Sequence, residues 1–197
     1  KVLYMKIFLS ILIIILNFQS LTKADDIRDF ELEGLSIGDN LSEYMTISEI
    51  INNDQGHYPV DSKFYEVAYS GNLTQYEYVN LAIKRNDDKF KIYFIRGMNV
   101  VENKKDCLKI KKIIADDLKE LFPKFYFLEG NQKHYYYKNS TQYISQFSAR
   151  SDANTSDHTR VECMIVSDKD KKIHGNLVST LEVIIATKEF SEWLASL

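Results

Sequence analysis

Glycine and proline are scarce in this chain, with seven and two in 197 residues. With 13% aromatic residues beside so few breakers, it has neither a disordered nor a collagen-like composition. A dominant sign of charge is also missing. Twenty-five basic residues face 28 acidic ones, so there is no basic footprint for nucleic acid. Proline-, glycine- or serine-rich linkers, low-complexity tracts and internal repeats are absent too, which argues for one domain. Cysteine is limited to Cys107 and Cys163, and there is no CxxC. His57, His134, His158 and His174 show no i, i+4 pairing. The common zinc signatures are therefore excluded, and no metal or cofactor is expected.

What is present begins with the N-terminus. Met5 and Lys6 form a short positive region, Ile7 to Leu16 is apolar except for Ser10, and Thr22-Lys23-Ala24 precedes Asp25-Asp26. This order has the layout of a secretory signal peptide, residues 1–24, cleaved after Ala24 with Met5 as initiator. Lys1 to Tyr4 would then reflect the choice of start site. A membrane anchor needs about 18 or more uncharged apolar residues. Ile7 to Leu21 provides fifteen, four of them polar. Without Lys1, Lys6 and Lys23, residues 25–197 carry 22 basic and 28 acidic residues, a net charge of −6. The expected location is the periplasm or the exterior, with membrane contact only if the leader is retained.

In an exported chain, an even cysteine count suggests a Cys107–Cys163 disulfide. The alternative is two separate buried thiols acting as small hydrophobes.

The hydrophobic period divides the chain. Phe30 to Glu33 alternates, as a short strand or extended lead-in. Ser36 with Asp39 and Thr46 with Glu49 are spaced as helix caps, so two short helices are expected, with Leu41, Tyr44 and Met45 on the buried face of the first. From Lys63 the period becomes two. The expected faces are Tyr65, Val67 and Tyr69; then Val79, Leu81 and Ile83; then Phe90, Ile92 and Phe94. A long helix follows, capped by Asn103 and stopped by Pro123, with a stripe of Cys107, Ile110, Ile114, Leu118 and Leu121. Its lysines read as a solvated face. Strands are expected at "FYFLEG", "TQYISQFSA", "TRVECMIVS" (Val161, Cys163 and Ile165 on one face) and "STLEVIIAT", the last central, with "DKDKK" as a turn. Thr187 caps a final helix with Phe190, Trp193, Leu194 and Leu197 on one face. The fold class is α+β, a mainly antiparallel sheet with two short N-terminal helices, one long central helix and a C-terminal helix.

Chemical motifs are few. Gly38-Asp39-Asn40-Leu41 resembles the Gly-Asp-Ser-Leu block of one esterase family, but Asn40 offers no nucleophile and Asp170 and His174 are one residue too far apart for that family's Asp-x-x-His. Asp152, Asn154 and Ser156 begin like a calcium loop, yet Asp157 replaces its glycine and Cys163 its glutamate. His134 to Lys138, "HYYYK", reads as a tyrosine recognition surface or as a strand with alternating tyrosines. Asn72, Asn139 and Asn154 lie in N-x-S/T triplets.

Two resemblances follow. "ADDIRDFELEGLSIGDNLSEYM", the "KDC" heading the long helix and the closing "TKEFSEWL" resemble an uncharacterised family of small exported proteins of marine alphaproteobacteria, over most of residues 5–197. That family reads serine at Asn40 and has no assigned activity, so the resemblance implies export and one domain. More loosely, Gly34-Leu35-Ser36, the two caps and the strands to Gly97 resemble the small domain of outer-membrane-assembly lipoproteins, without their lipid-attachment cysteine. The expectation is a binding or envelope-interaction module without catalytic residues, its partner a protein or small molecule of the cell envelope. The alternative is an enzyme whose site has no sequence motif.

Overall fold

The structure, a computed structural model, describes residues 24–152 and 156–197. The expected leader up to Lys23, and the middle of the expected calcium loop with the triplet at Asn154, lie outside the described residues. Seven strands form one antiparallel sheet: β1 (Phe64–Ala68), β2 (Tyr78–Lys84), β3 (Ile92–Val100), β4 (Tyr126–Lys133), β5 (Thr141–Ser148), β6 (His158–Ile165) and β7 (Thr180–Ala186). Their spatial order is β1-β2-β3-β7-β6-β5-β4. The last strand in sequence therefore sits in the middle and joins two meanders, as its near-continuous apolar run demands. The helices are α1 (Ile47–Asn52), α2 (Lys104–Leu121), α3 (Asp168–His174) and α4 (Lys188–Ala195). The α+β expectation holds.

One face of the sheet carries the main core. Val67, Leu81, Ile95, Val183, Val161 and Phe147 point from six strands into a single cluster with Leu118 and Leu121 of α2. Cys107 and Cys163 are joined there by a disulfide, 56 residues apart in sequence. Closing a loop of that length stabilises the fold by about 4 kcal/mol in the chain-entropy account. It pins the start of α2 onto β6. Such a bond fits an oxidising compartment. Among the described residues, no helix is long and apolar enough to cross a membrane.

The opposite face is divided. At one end α4 lays Phe190 and Trp193 against Phe64, Phe94, Ile184 and Ala186. Thr187 caps that helix by accepting from Phe190 N. Leu194 and Leu197, expected on the same face, are exposed because α4 crosses only the corner of the sheet.

Several expectations are corrected. Ile92 and Phe94 do not share a face, because the β2–β3 register slips between Ala82 and Ile83. That bulge turns Ile92 into the main core and leaves Phe94 under α4. "DKDKK" is not a turn but α3, capped by Ser167, whose hydroxyl accepts from Asp170 N. Phe30 to Glu33 forms no strand. A tight turn at Glu33 and Gly34, with φ of 55° and 76°, folds Leu32 back to bridge Leu35. The buried stripe of α2 includes Lys111 and Ala115, with Ile110 and Ile114 only partly covered.

The Gly38-Asp39-Asn40-Leu41 segment is likewise not the start of a full helix. It begins in a turn, with Gly38 at φ 99° and Asp39 N donating to Ser36 O, and then runs beside β3, with Gly38 N donating to Ile92 O, Ile92 N to Asp39 O and Leu41 N to Phe90 O. Asp39 accepts from Ser36 N and the Tyr44 hydroxyl, both at 2.9 Å. Only a single 3-10 turn, Leu41–Glu43, follows. The Thr46–Glu49 capping box at the head of α1 is formed as expected.

A charged sheet face as candidate functional site

Beyond the reach of α4, the same sheet face turns polar. The antiparallel register places its residues in rows. One row runs Ala68, Asn80, Arg96, Ile184, Arg160, Gln146 across β1, β2, β3, β7, β6 and β5. The next holds Met98, Glu182, Glu162 and Ile144. Glu66 of β1 lies one row the other way, opposite Ala82. Three carboxylates and two guanidinium groups thus share one face, with Glu66, Glu162 and Glu182 all buried.

The contacts make this a network. Arg96 Nη2 donates to Glu66 Oε2 at 3.0 Å. Glu66 also binds His57 Nδ1 at 3.0 Å and accepts from the Tyr58 hydroxyl at 2.9 Å. Burial opposes ionisation of Glu66, but His57, Arg96 and Tyr58 together outweigh it and hold the carboxyl below its ordinary range. Gln142 donates to Glu162 Oε1 at 2.9 Å and Thr180 to Glu182 Oε1 at 2.6 Å. Glu162 and Glu182 stand directly opposite each other, an unfavourable pairing for like charges. Burial, then the neighbouring Glu162, raises the Glu182 carboxyl, so it tends to keep its proton.

The network is not saturated. Arg96 Nε is buried without a hydrogen-bond partner. Arg160 Nε lies 3.1 Å from Glu162 Oε2 without alignment for a hydrogen bond. Asn80 faces Arg96, its amide oxygen 3.2 Å from Nη2 in the orientation that suits both.

Beside Arg96 the surface opens into a cleft of about 370 Å³. Ala68, Asn80, Arg96 and Met98 form its floor. Gln55, His57, Tyr69, Leu73, Glu77 and Tyr78 also line it. The volume suits a small ligand.

Two loops flank the charged face. Tyr58 packs edge-on against Trp193 at 4.8 Å. From the other side comes the β4–β5 loop with "HYYYK". It forms no strand; His134 stacks on Tyr137 at 4.7 Å, while Tyr135 and Tyr136 are largely exposed. Asp170 of α3 anchors this loop, accepting from Asn139 N, Asn139 Nδ2 and Ser140 Oγ. Burial works against its charge, yet these bonds hold its pKa at about 2.

The sequence pointed to none of Glu66, Arg96, Glu162 or Glu182. Each reads alone as the polar member of an alternating strand. The available signal was the lone charge inside otherwise apolar strands, Glu182 in "TLEVIIA" above all. Of the residues singled out from sequence, Cys107 and Cys163 meet, whereas Asn40 and His174 lie outside this network. Among the described residues, no cluster of His, Cys, Asp and Glu is arranged to hold a metal ion. Comparison with protein families, curated proteins and solved structures finds no match.

Proposed function

We propose that this protein is an exported, non-catalytic binding module of the cell envelope, and that its ligand is a small polar molecule bearing an anionic group. The observation that carries the reading is a cleft of ligand size whose floor includes Arg96, a charged group with incomplete hydrogen bonding. The guanidinium and the His57 imidazole supply donors for an anion. Tyr69, Leu73 and Met98 supply an apolar wall for the rest of the molecule. With Glu182 holding its proton the buried charges balance, two carboxylates against two guanidinium groups, so what a ligand anion adds is acceptor atoms for donors left without a partner. Calorimetry with a panel of free amino acids and small carboxylic acids tests it. Binding to the natural chain, lost by at least tenfold in Arg96→Met, supports the reading; no binding across the panel to folded protein overturns it.

An acid–base enzyme is the second reading, favoured by the opposed Glu162 and Glu182. It requires chemical turnover. A bound ligand recovered unchanged after long incubation excludes it for that ligand.

Export rests on the order of charge, apolar run and small residues at the N-terminus, and the disulfide supports it. The structure adds a detail at the expected boundary. Ala24 is buried, and its N–H donates to Leu121 O at 2.9 Å. Cleavage after Ala24 removes this bond, whereas Asp25 keeps its ion pair with Lys124. Intact mass of the exported protein decides the point. A chain beginning at Asp25 is expected, and a mass that still includes Met5 to Ala24 contradicts cleavage.

A further inference from the structure

The two edges of the sheet are treated differently. The β1 edge is covered by the chain itself: Gln55 N donates to Glu66 O, Ala68 N donates to Asn53 O, and Asp54 bridges Val67. The β4 edge has no such cover. Among the described residues, the β4 backbone hydrogen-bonds only to β5, over eight consecutive pairs from Tyr126 to Lys133 without a bulge. All eight residues are exposed, including Tyr126, Phe127 and Leu128. Proline and register breaks, which normally blunt an edge of this length, are missing from it.

Charge indicates what fits there. The side of α2 turned toward β4 carries Lys104, Leu108, Lys111, Lys112, Ala115 and Lys119, which fall in one arc of roughly 100° at 3.6 residues per turn. There is no acid among them, although Asp116, just outside the arc, pairs with Lys112 at 2.7 Å. Three contacts fix the direction of this arc. Lys119 lies 5.4 Å from the Phe127 ring, Lys111 pairs with Glu129, and Lys104 donates to the hydroxyl of Tyr143, which is paired with Asn131 of β4. Lys133 ends the strand. Glu129 is the one acid on β4, and Lys111 already occupies it.

We propose that the β4 edge binds an extended acidic segment of another polypeptide, which adds to the sheet as an eighth strand beside the α2 lysines. Backbone hydrogen bonds along β4 supply affinity, and the lysine flank selects acidic side chains on that face. A second copy of this chain is disfavoured there, because edge-to-edge pairing across a two-fold axis sets the lysine flanks of both copies side by side. This surface is independent of the Arg96 cleft, so failure of either proposal leaves the other standing.

The test uses two eight-residue peptides, one alternating valine with glutamate and the other valine with lysine. Affinity is read by fluorescence anisotropy at low salt, and the site by amide hydrogen exchange. The glutamate peptide is expected to bind at least tenfold tighter than the lysine peptide, weaken with added salt and slow exchange across Tyr126 to Lys133. The exposed double variant Lys112→Glu, Lys119→Glu is expected to reverse the preference; it gives up the Lys112–Asp116 ion pair and the Lys119–Phe127 contact, so its unfolding midpoint falls slightly while the fold is kept. Equal affinity for both peptides, no binding of the glutamate peptide, protection elsewhere, or a dimer that itself protects Tyr126 to Lys133 overturns the proposal.

Discussion

His158 shows how burial sets the behaviour of one residue. It sits on β6 in the row of Glu66 and Ala186, nearly inaccessible, with Nδ1 3.1 Å from Ser156 O. Burial, helped by the charge of Arg160, lowers its pKa to about 4. The unfolded value is about 6.5, so between the two the unfolded chain binds the extra proton and the folded chain does not. Stability from this residue is complete above about pH 6.5 and is lost as pH falls toward 4, by up to about 3 kcal/mol. Denaturant midpoints measured from pH 7.5 to 4 should therefore decline. The decline should be distinctly shallower in His158→Asn, and an equal slope in both proteins contradicts the assignment. Lys111 illustrates the same scale differently. Its ammonium is buried among helix α2, Ser145 and Glu129, although in sequence it is one more lysine of an apparently solvated run.

At the scale of elements, close approaches decide where side chains are tolerated. Gly97 of β3 lies under the Tyr76 ring, and a Cβ there would come within 2.7 Å of a ring carbon. Tyr76 is held in place by its backbone N–H, which donates to Glu33, as do the N–H groups of Thr74 and Gln75. Gly97→Ala should therefore cost about 1–3 kcal/mol by overpacking. Chemical denaturation measures this directly, and a neutral result means that Tyr76 swings aside freely. The strands themselves were legible because a half-buried strand must alternate: Val79, Leu81 and Ile83 could face only one way. The bulge that leaves Tyr93 of β3 without a partner was not legible, because Ile92, Tyr93, Phe94 and Ile95 are all apolar and hide the change of phase. Helix α3 is hidden in the sequence although Ser167 and Asp170 have the spacing of a cap, because a run of charges obscures a short helix with little apolar surface. At Leu41 the sequence predicts a longer helix than the 3-10 turn that forms, for the opposite reason. Its apolar residues pack as expected, but Asp39 spends its carboxylate on Ser36 and Tyr44 instead of capping a helix.

For the whole molecule, the position of β7 organises everything else. Its insertion between β3 and β6 brings Arg96 of the first meander beside Glu182 and next to Glu162 and Arg160 of the second. No local pattern reports such a meeting, since it depends on strand order, and this is why the candidate site was invisible in a sequence whose fold class was plain. The main core and the disulfide occupy one face. The other is left with charges that are buried but incompletely hydrogen-bonded, beside a cleft lined by Ala68, Asn80 and Arg96. The central claim is that this opening receives a ligand through Arg96. The most direct measurement is the Arg96 Nε–Hε resonance in ¹H–¹⁵N spectra recorded while the amino-acid and carboxylic-acid panel is titrated. A saturable downfield shift of that resonance, accompanied by Asn80 and His57, is the predicted result. Saturable binding that leaves Arg96, Asn80 and His57 unmoved would contradict the account.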